Sequence, residues 1–138
     1  MKKSKPCPKP SKSEPKKRIQ SKKTLIKEAD RVFSLFIRNR DYPNGHGPCF
    51  ACGKDTKFYK ANNMHFITRT CWPLRYDETN CHAGCVYCNK YLYGNYIAYT
   101  REMIRKYGVK KVDELMGKRW KVEKWGKTEL QAVIDKYK

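Results

Sequence analysis

Two Cys-x-x-Cys pairs, Cys49/Cys52 and Cys85/Cys88, supply four soft thiolates at the spacing by which each pair grips one face of a tetrahedral zinc ion. A closed four-sulfur site keeps no open position for water, so zinc there is expected to staple the chain and not to hydrolyse anything. A redox pair or plain buried thiols are the rival readings. Cys7, Cys71 and Cys81 have no partner at metal spacing and are assigned no role.

Between and beside the two pairs stand His65, Asn80, His82 and Asn89. Hydrolysis of a phosphodiester needs a base to deprotonate water, and a neutral imidazole suits that task near physiological pH, with gains of roughly 10²–10⁴-fold. His65 is the candidate base. The reaction also needs a cation against the charge that builds on the phosphate and the departing 3′ oxygen, which magnesium or manganese supplies through oxygen ligands. Asn89, directly after the fourth zinc cysteine, offers a carboxamide oxygen for that ion. Asn80 is read as the amide that ties the loop and orients the histidine. His82 is read as a supporting residue able to orient Asn80, contact phosphate or assist the metal. His46, in a Gly/Pro turn, is taken as an exposed loop histidine.

These residues need a frame. From Thr24 to Arg40, Leu25, Ala29, Val32, Phe33, Phe36 and Ile37 recur at three- and four-residue steps, which predicts a helix with one buried side. The Tyr42–Pro48 stretch breaks it with prolines and glycines. Phe, Tyr, Ile, Thr and Trp between Lys57 and Arg75 suit a short hairpin, with His65 within or just after its first strand. A helix is expected from the second cysteine pair to Gly108, and a last one behind a capping box at Thr128-Glu129-Leu130-Gln131. Tyr87, Tyr91, Tyr93, Tyr96 and Tyr99 are assigned to core packing or a subunit interface ahead of base stacking. The nearby Asn95 has no spacing that directs it toward His65.

The chain carries 32 Lys and Arg against 13 Asp and Glu, a formal net charge of +19 in 138 residues. That excess attracts a polyanion through counterion release, so nucleic acid is the expected partner. Arg69, Arg75, Lys90, Lys118 and Arg119 are the expected phosphate contacts. No apolar run reaches the length of a membrane span, and the basic start lacks the apolar segment of a signal peptide, so no membrane partner and a cytoplasmic location are expected. Seven cysteines in such a compartment point to metal and not disulfides, since an odd number cannot all pair within one chain.

Cys49-Phe50-Ala51-Cys52, His65-Phe66, the run Leu74–Asn89 and Tyr91-Leu92-Tyr93-Gly94-Asn95 together carry a family resemblance. From about Thr24 to its end the chain resembles the phage NinG/Rap recombination proteins, a branch of the HNH or ββα-metal nucleases. The resemblance implies a nuclease acting on Holliday junctions, D-loops or related branched DNA during phage recombination, in the bacterial host cytoplasm. It implies divalent metal for cleavage, zinc for structure, and phage or host recombination proteins as partners. Asn89 also sits where a junction-resolving phage endonuclease has an asparagine that binds the catalytic metal. Two departures stand out. Met64 occupies the position where many HNH enzymes place Asp or His before the base, so metal binding rests on Asn89 and water. Longer relatives carry an additional cysteine-rich N-terminal segment where this chain has Cys7 alone, so a second zinc site is not expected.

The expected architecture is α+β, a small zinc-stabilised ββα-metal (HNH-type) core flanked by helices. It divides into a flexible basic tail over 1–23, a helix and connecting loop over 24–48, the nuclease core over 49–95 and a helical extension over 96–138. A two-fold symmetric junction makes a homodimer attractive. The alternatives are a non-enzymatic zinc module that binds nucleic acid, and a basic interaction protein of a ribonucleoprotein or phage assembly.

Overall fold

The structure, a computed structural model, describes residues 18–138. Residues 1–17 of the expected tail, Cys7 among them, lie outside the described residues. The described chain is mixed α+β, with two small antiparallel two-stranded sheets and helices packed around them.

Helix α1 spans Lys22–Asp41 and starts two residues ahead of its apolar pattern, because the Ser21 hydroxyl accepts from the Thr24 amide at 3.2 Å and caps it. Leu25, Ala29, Val32, Phe33 and Ile37 are buried, as the periodicity requires. That stripe packs on the last helix, α5 (Lys127–Tyr137), through Leu130, Val133 and Ile134, and the Tyr137 ring meets Phe33 at 4.9 Å and Phe36 at 4.7 Å. Arg38 and Arg40 in the last turn of α1 complement its negative end.

Strands β1 (His46–Pro48) and β2 (Asp55–Lys57) flank the first cysteine pair, and the exposed His46 bonds Asp55 at 2.8 Å. Strand β3 (Asn62–His65) then pairs with β4 (Cys81–Gly84), setting Met64 opposite His82 and His65 opposite Cys81. Alternation along β3 puts Asn63 and His65 on one face and Met64 on the other. Met64 is fully buried against Gly84, where an added methyl would overlap its sulfur. The far edge of β4 is closed by the end of α1: Asp41 accepts from the Ala83 amide at 2.8 Å, and Arg40 donates to the Cys81 carbonyl at 2.8 Å and the Glu78 carbonyl at 2.7 Å. An edge covered in this way cannot recruit another strand.

The β3 to β4 connection corrects the expected hairpin within Lys57–Arg75. Its second strand lies later, at 81–84, and the intervening chain forms a one-turn helix, α2 (Trp72–Arg75), with Pro73 in its first turn. Asn80 makes that connection rigid. Its side-chain oxygen accepts from Ile67 N at 2.7 Å, and its amide donates to the carbonyls of Ile67 at 2.9 Å and Leu74 at 3.0 Å, with no solvent exposure. Asn80→Ala orphans the buried amide and carbonyl of Ile67 and removes one of the bonds to the Leu74 carbonyl, and is expected to lower stability by about 3 kcal/mol, read from urea unfolding. A loss under about 1 kcal/mol would mean the loop does not depend on this side chain.

After Cys85 the chain does not run as one helix. A π-helical turn at Tyr87–Tyr91 ends in left-handed backbone at Tyr93, Gly94 and Asn95, and helix α3 (Tyr96–Tyr107) begins anew. Gly108 stops α3 as expected, and α4 (Val109–Lys118) follows. The final cap also differs: α5 is capped at Gly126, whose amide donates to the Glu129 carboxylate at 2.8 Å, with Thr128 inside the helix. Of the five tyrosines assigned to core packing or a subunit interface, Tyr99 is fully buried while Tyr87, Tyr91, Tyr93 and Tyr96 are exposed in the single chain. No helix among the described residues is long and apolar enough to cross a membrane.

Candidate metal centre and adjoining cleft

The knuckle Cys49–Gly53 is closed by a Gly53 amide donating to the Cys49 carbonyl at 2.8 Å, which needs the left-handed backbone that Gly53 adopts at φ 77°. Phe50 N donates to the Ala83 carbonyl at 3.1 Å and docks the knuckle on β4. Cys85 and Cys88 follow that strand directly, so both pairs arrive at one point. All four Sγ atoms lie within 4.8 Å of one another. The Cys52 to Cys85 separation is 3.9 Å, close to the edge of about 3.8 Å that a ZnS₄ tetrahedron requires. The Cys88 amide donates to Cys85 Sγ and the Asn95 side-chain amide to Cys88 Sγ, each at 3.4 Å. The donor set fits zinc, with ligands from a knuckle, a strand end and a helical turn.

That same turn carries Asn89 to the mouth of a cleft of about 250 Å³, lined among others by Asn63, His65, Arg69, Asn89 and Lys90. At about 30 Å³ per water, this is room for a phosphate group and a few waters but not for a buried nucleotide. His65 stands at the end of β3 with Nε2 at 2.9 Å from the Arg75 carbonyl. A carbonyl can only accept, so Nε2 carries the proton and Nδ1 keeps the lone pair. Burial pushes the His65 pKa below its ordinary 6.5 against the opposing pull of the carbonyl bond, which keeps the ring neutral at pH 7.

The other expected site residues are placed differently. Asn80 lies beneath the cleft floor with its amide spent on the loop. His82 points to the opposite face of the sheet, fully buried, where Phe50 stacks on it at 3.8 Å and the hydroxyls of Tyr99 and Tyr107 bond its two nitrogens at 2.9 and 2.7 Å. Burial holds its pKa down at about 3, so it is a neutral packing group sealed from phosphate and metal. Arg75 reaches the cleft wall but is largely buried: it grips Asp30 through two bonds of 3.0 and 2.6 Å and caps the Arg69 carbonyl at 3.1 Å. Its role is to hold α2 on α1 and, through its carbonyl, to aim His65. Arg69 and Lys90 are exposed on the cleft rim. Lys118 and Arg119 are exposed at the end of α4 and do not line the cleft.

The family model described as Bacteriophage Lambda NinG protein matches residues 2–138. The chain belongs to the NinG family. Among curated NinG proteins, it is 35% identical over 116 residues to that of Escherichia phage 933W, a match covering 81% of this chain and 54% of the relative. Identity is 33% to the NinG proteins of Salmonella phage P22 and Escherichia phage lambda, covering 81% of this chain and 53% of each relative. The chain thus spans about half the length of the curated relatives it matches. No solved structure matches it.

Two cleft residues of this NinG chain escaped the sequence. Asn63 shares a strand face with His65, and its side-chain oxygen is buried with no hydrogen-bond partner among the described residues. Two-residue alternation from His65 was the signal that could have found it. Asp30 arrives from α1, and nothing local marks a helix surface carboxylate as the partner of an arginine 45 positions away. A wider depression of about 1550 Å³ between α1 and α5 includes Arg18, Lys27, Arg31, Lys127 and Lys138 in its lining together with the carboxylates Glu28 and Asp135, but no histidine or cysteine.

Proposed function

We propose that this NinG chain is a metal-dependent, HNH-type DNA endonuclease that hydrolyses phosphodiester bonds in branched recombination intermediates such as Holliday junctions and D-loops. The observation that carries the reading is one cleft containing His65, with its Nδ1 lone pair left available, and Asn89, on the turn that also bears Cys88 of the four-cysteine cluster. Two antiparallel strands followed by a helical turn across a four-cysteine site support an HNH-type core.

In this account His65 Nδ1 takes the proton from the attacking water, and Arg75 holds the ring so that Nε2 cannot compete. Arg69 and Lys90 hold the backbone phosphate at the rim. Asn63, with its unpartnered oxygen, lines the same cleft as Asn89, and two amide oxygens there would suit a hard divalent ion in place of the ligand that Met64 does not supply. When bound there, magnesium or manganese supplies positive charge against the phosphate and the departing 3′ oxygen. The products then carry 5′-phosphate and 3′-hydroxyl ends. A homodimer, and association with phage or host recombination proteins, belong to the same proposal.

The test is an end-labelled four-way junction and a matched linear duplex incubated with the zinc-loaded protein, with and without magnesium or manganese. Metal-dependent cuts near the branch are expected. Tight binding with no cuts under either metal would instead favour a zinc-stapled nucleic-acid-binding module, for which the +19 charge suffices. Little preference between the two DNAs would favour a basic interaction protein.

The pH dependence is a second expectation. Only neutral His65 can accept a proton, and its depressed pKa puts its half-protonation below pH 6.5. The acid limb of the single-turnover rate is therefore expected to be centred below pH 6.5, where the ring becomes protonated. An acid limb centred above 6.5 would mean another group is the base.

A further inference from the structure

The turn that carries Asn89 continues into a ridge of large side chains held out in water. Tyr87 is 60% exposed, Tyr91 70%, Tyr93 84% and Ile97 83%. The ridge is not a floppy loop. Gly94 N donates to the Cys88 carbonyl at 2.8 Å, Leu92 N to the Tyr87 carbonyl at 3.0 Å, and the Asn95 amide to Cys88 Sγ, so the ridge is pinned to a cysteine of the metal cluster. Tyr93 is held at φ 50° and Asn95 at φ 46°, a left-handed conformation uncommon for non-glycine residues. Tyr87 and Tyr91 are already stacked on each other, with centroids 6.0 Å apart and planes 28° apart. A rigid, strained, solvent-facing row of aromatic rings has a purpose other than packing, since packing would have buried it.

Its chemistry narrows the partner. From Asn80 to Arg101 there is no Asp or Glu, and the charged residues in that run are Lys90 and Arg101. Lys90 also lines the cleft, so the ridge begins where the cleft ends. Two copies of this ridge set face to face would bring Lys90 and Arg101 against the same cations with no acid between them. Bases without a pairing partner present flat aromatic faces on an anionic backbone, which matches tyrosines interleaved with cations.

We infer that the Tyr87–Ile97 ridge is a stacking platform for unpaired bases next to the phosphate that enters the cleft. This rests on reading the cleft as a DNA-cutting site, and it explains how a protein without base-reading side chains in a groove would favour branch points over continuous duplex. Tyr91 and Tyr93, the most exposed rings, carry the largest share. Each lost base stack is expected to weaken binding about 5- to 150-fold.

The test measures binding apart from cutting, in the zinc-loaded full chain with His65→Ala as parent, by fluorescence anisotropy on a four-way junction, a thymidine single strand and a matched duplex. Adding Tyr91→Ala and Tyr93→Ala is expected to weaken junction and single-strand binding at least 10-fold, to change duplex binding less than about 2-fold, and to leave zinc content unchanged. Phenylalanine at both positions restores the preference, because the ring and not the hydroxyl stacks. Equal weakening on all three DNAs, or on none, overturns the inference while leaving the cutting site standing. Conversion of a sedimenting dimer to a monomer by the alanines, without loss of single-strand preference, overturns it in favour of a subunit interface. A parent that binds none of the three DNAs overturns both this inference and the functional reading beneath it.

Discussion

Removing the metal, by a chelator or by Cys85→Ser, is expected to unfold the domain and not merely to soften it. Cys49, Met64, Cys85, Cys88 and Tyr99 share one core cluster while Cys52 is exposed, so a metal held by the four cysteines would tie that core to the surface knuckle. The strands on either side are three or four residues long, too short to hold a sheet on their own. Apparent binding energies of structural zinc run to about 10–16 kcal/mol, as large as the whole stability of a domain, about 5–15 kcal/mol. Without the ion, four sulfurs within 4.8 Å of one another would be a crowded thiol cluster, three of them on buried residues, with nothing to hold them together. Circular dichroism and one-to-one zinc stoichiometry check this. A cooperative thermal transition surviving in zinc-free protein would remove the staple from the account.

The second large effect concerns His65. Its alanine variant is expected to lose cleavage by roughly 10²–10⁴-fold while DNA affinity stays within about 2-fold, because the ring supplies a base and no phosphate contact. The variant should also stay folded. Asn80, not His65, carries the buried hydrogen bonds of the loop, and the bond lost at Arg75 is to a carbonyl already near the cleft. Arg75→Ala is a useful contrast, since it frees Asp30 and α2 together and should disturb stability as well as rate. Equal rates for wild type and His65→Ala would move the base elsewhere.

How much of this was legible in the sequence follows from the range of each interaction. The cysteine pairs were legible because each is a local three-residue spacing and because tetrahedral ligation leaves few other uses for it. Helix α1 was legible for the same reason: its buried stripe repeats along one element. His65 and Asn89 lie 24 positions apart, and no local pattern joins them; the family resemblance did. The partner of β3 was misplaced because strand pairing is a non-local choice, settled here by the Asn80 bonds that fold the intervening loop. Core packing did not hold for Tyr87, Tyr91, Tyr93 and Tyr96, since helical spacing names a face without saying what covers it, and the helix breaks into a left-handed turn at Tyr93–Asn95. Arg75 looked like a phosphate contact until Asp30 arrived from another helix.

The central claim is that the cleft between His65 and Asn89 cuts DNA. The most direct measurement is single-turnover strand cleavage of an end-labelled four-way junction in magnesium by wild type, His65→Ala and Asn89→Ala, each shown to bind the junction and to hold one zinc. The account predicts cuts near the branch with 5′-phosphate ends from the wild type, and loss of at least about 100-fold in both variants. Wild-type cutting that persists in both variants, or junction binding by all three with no cutting at all, would contradict it.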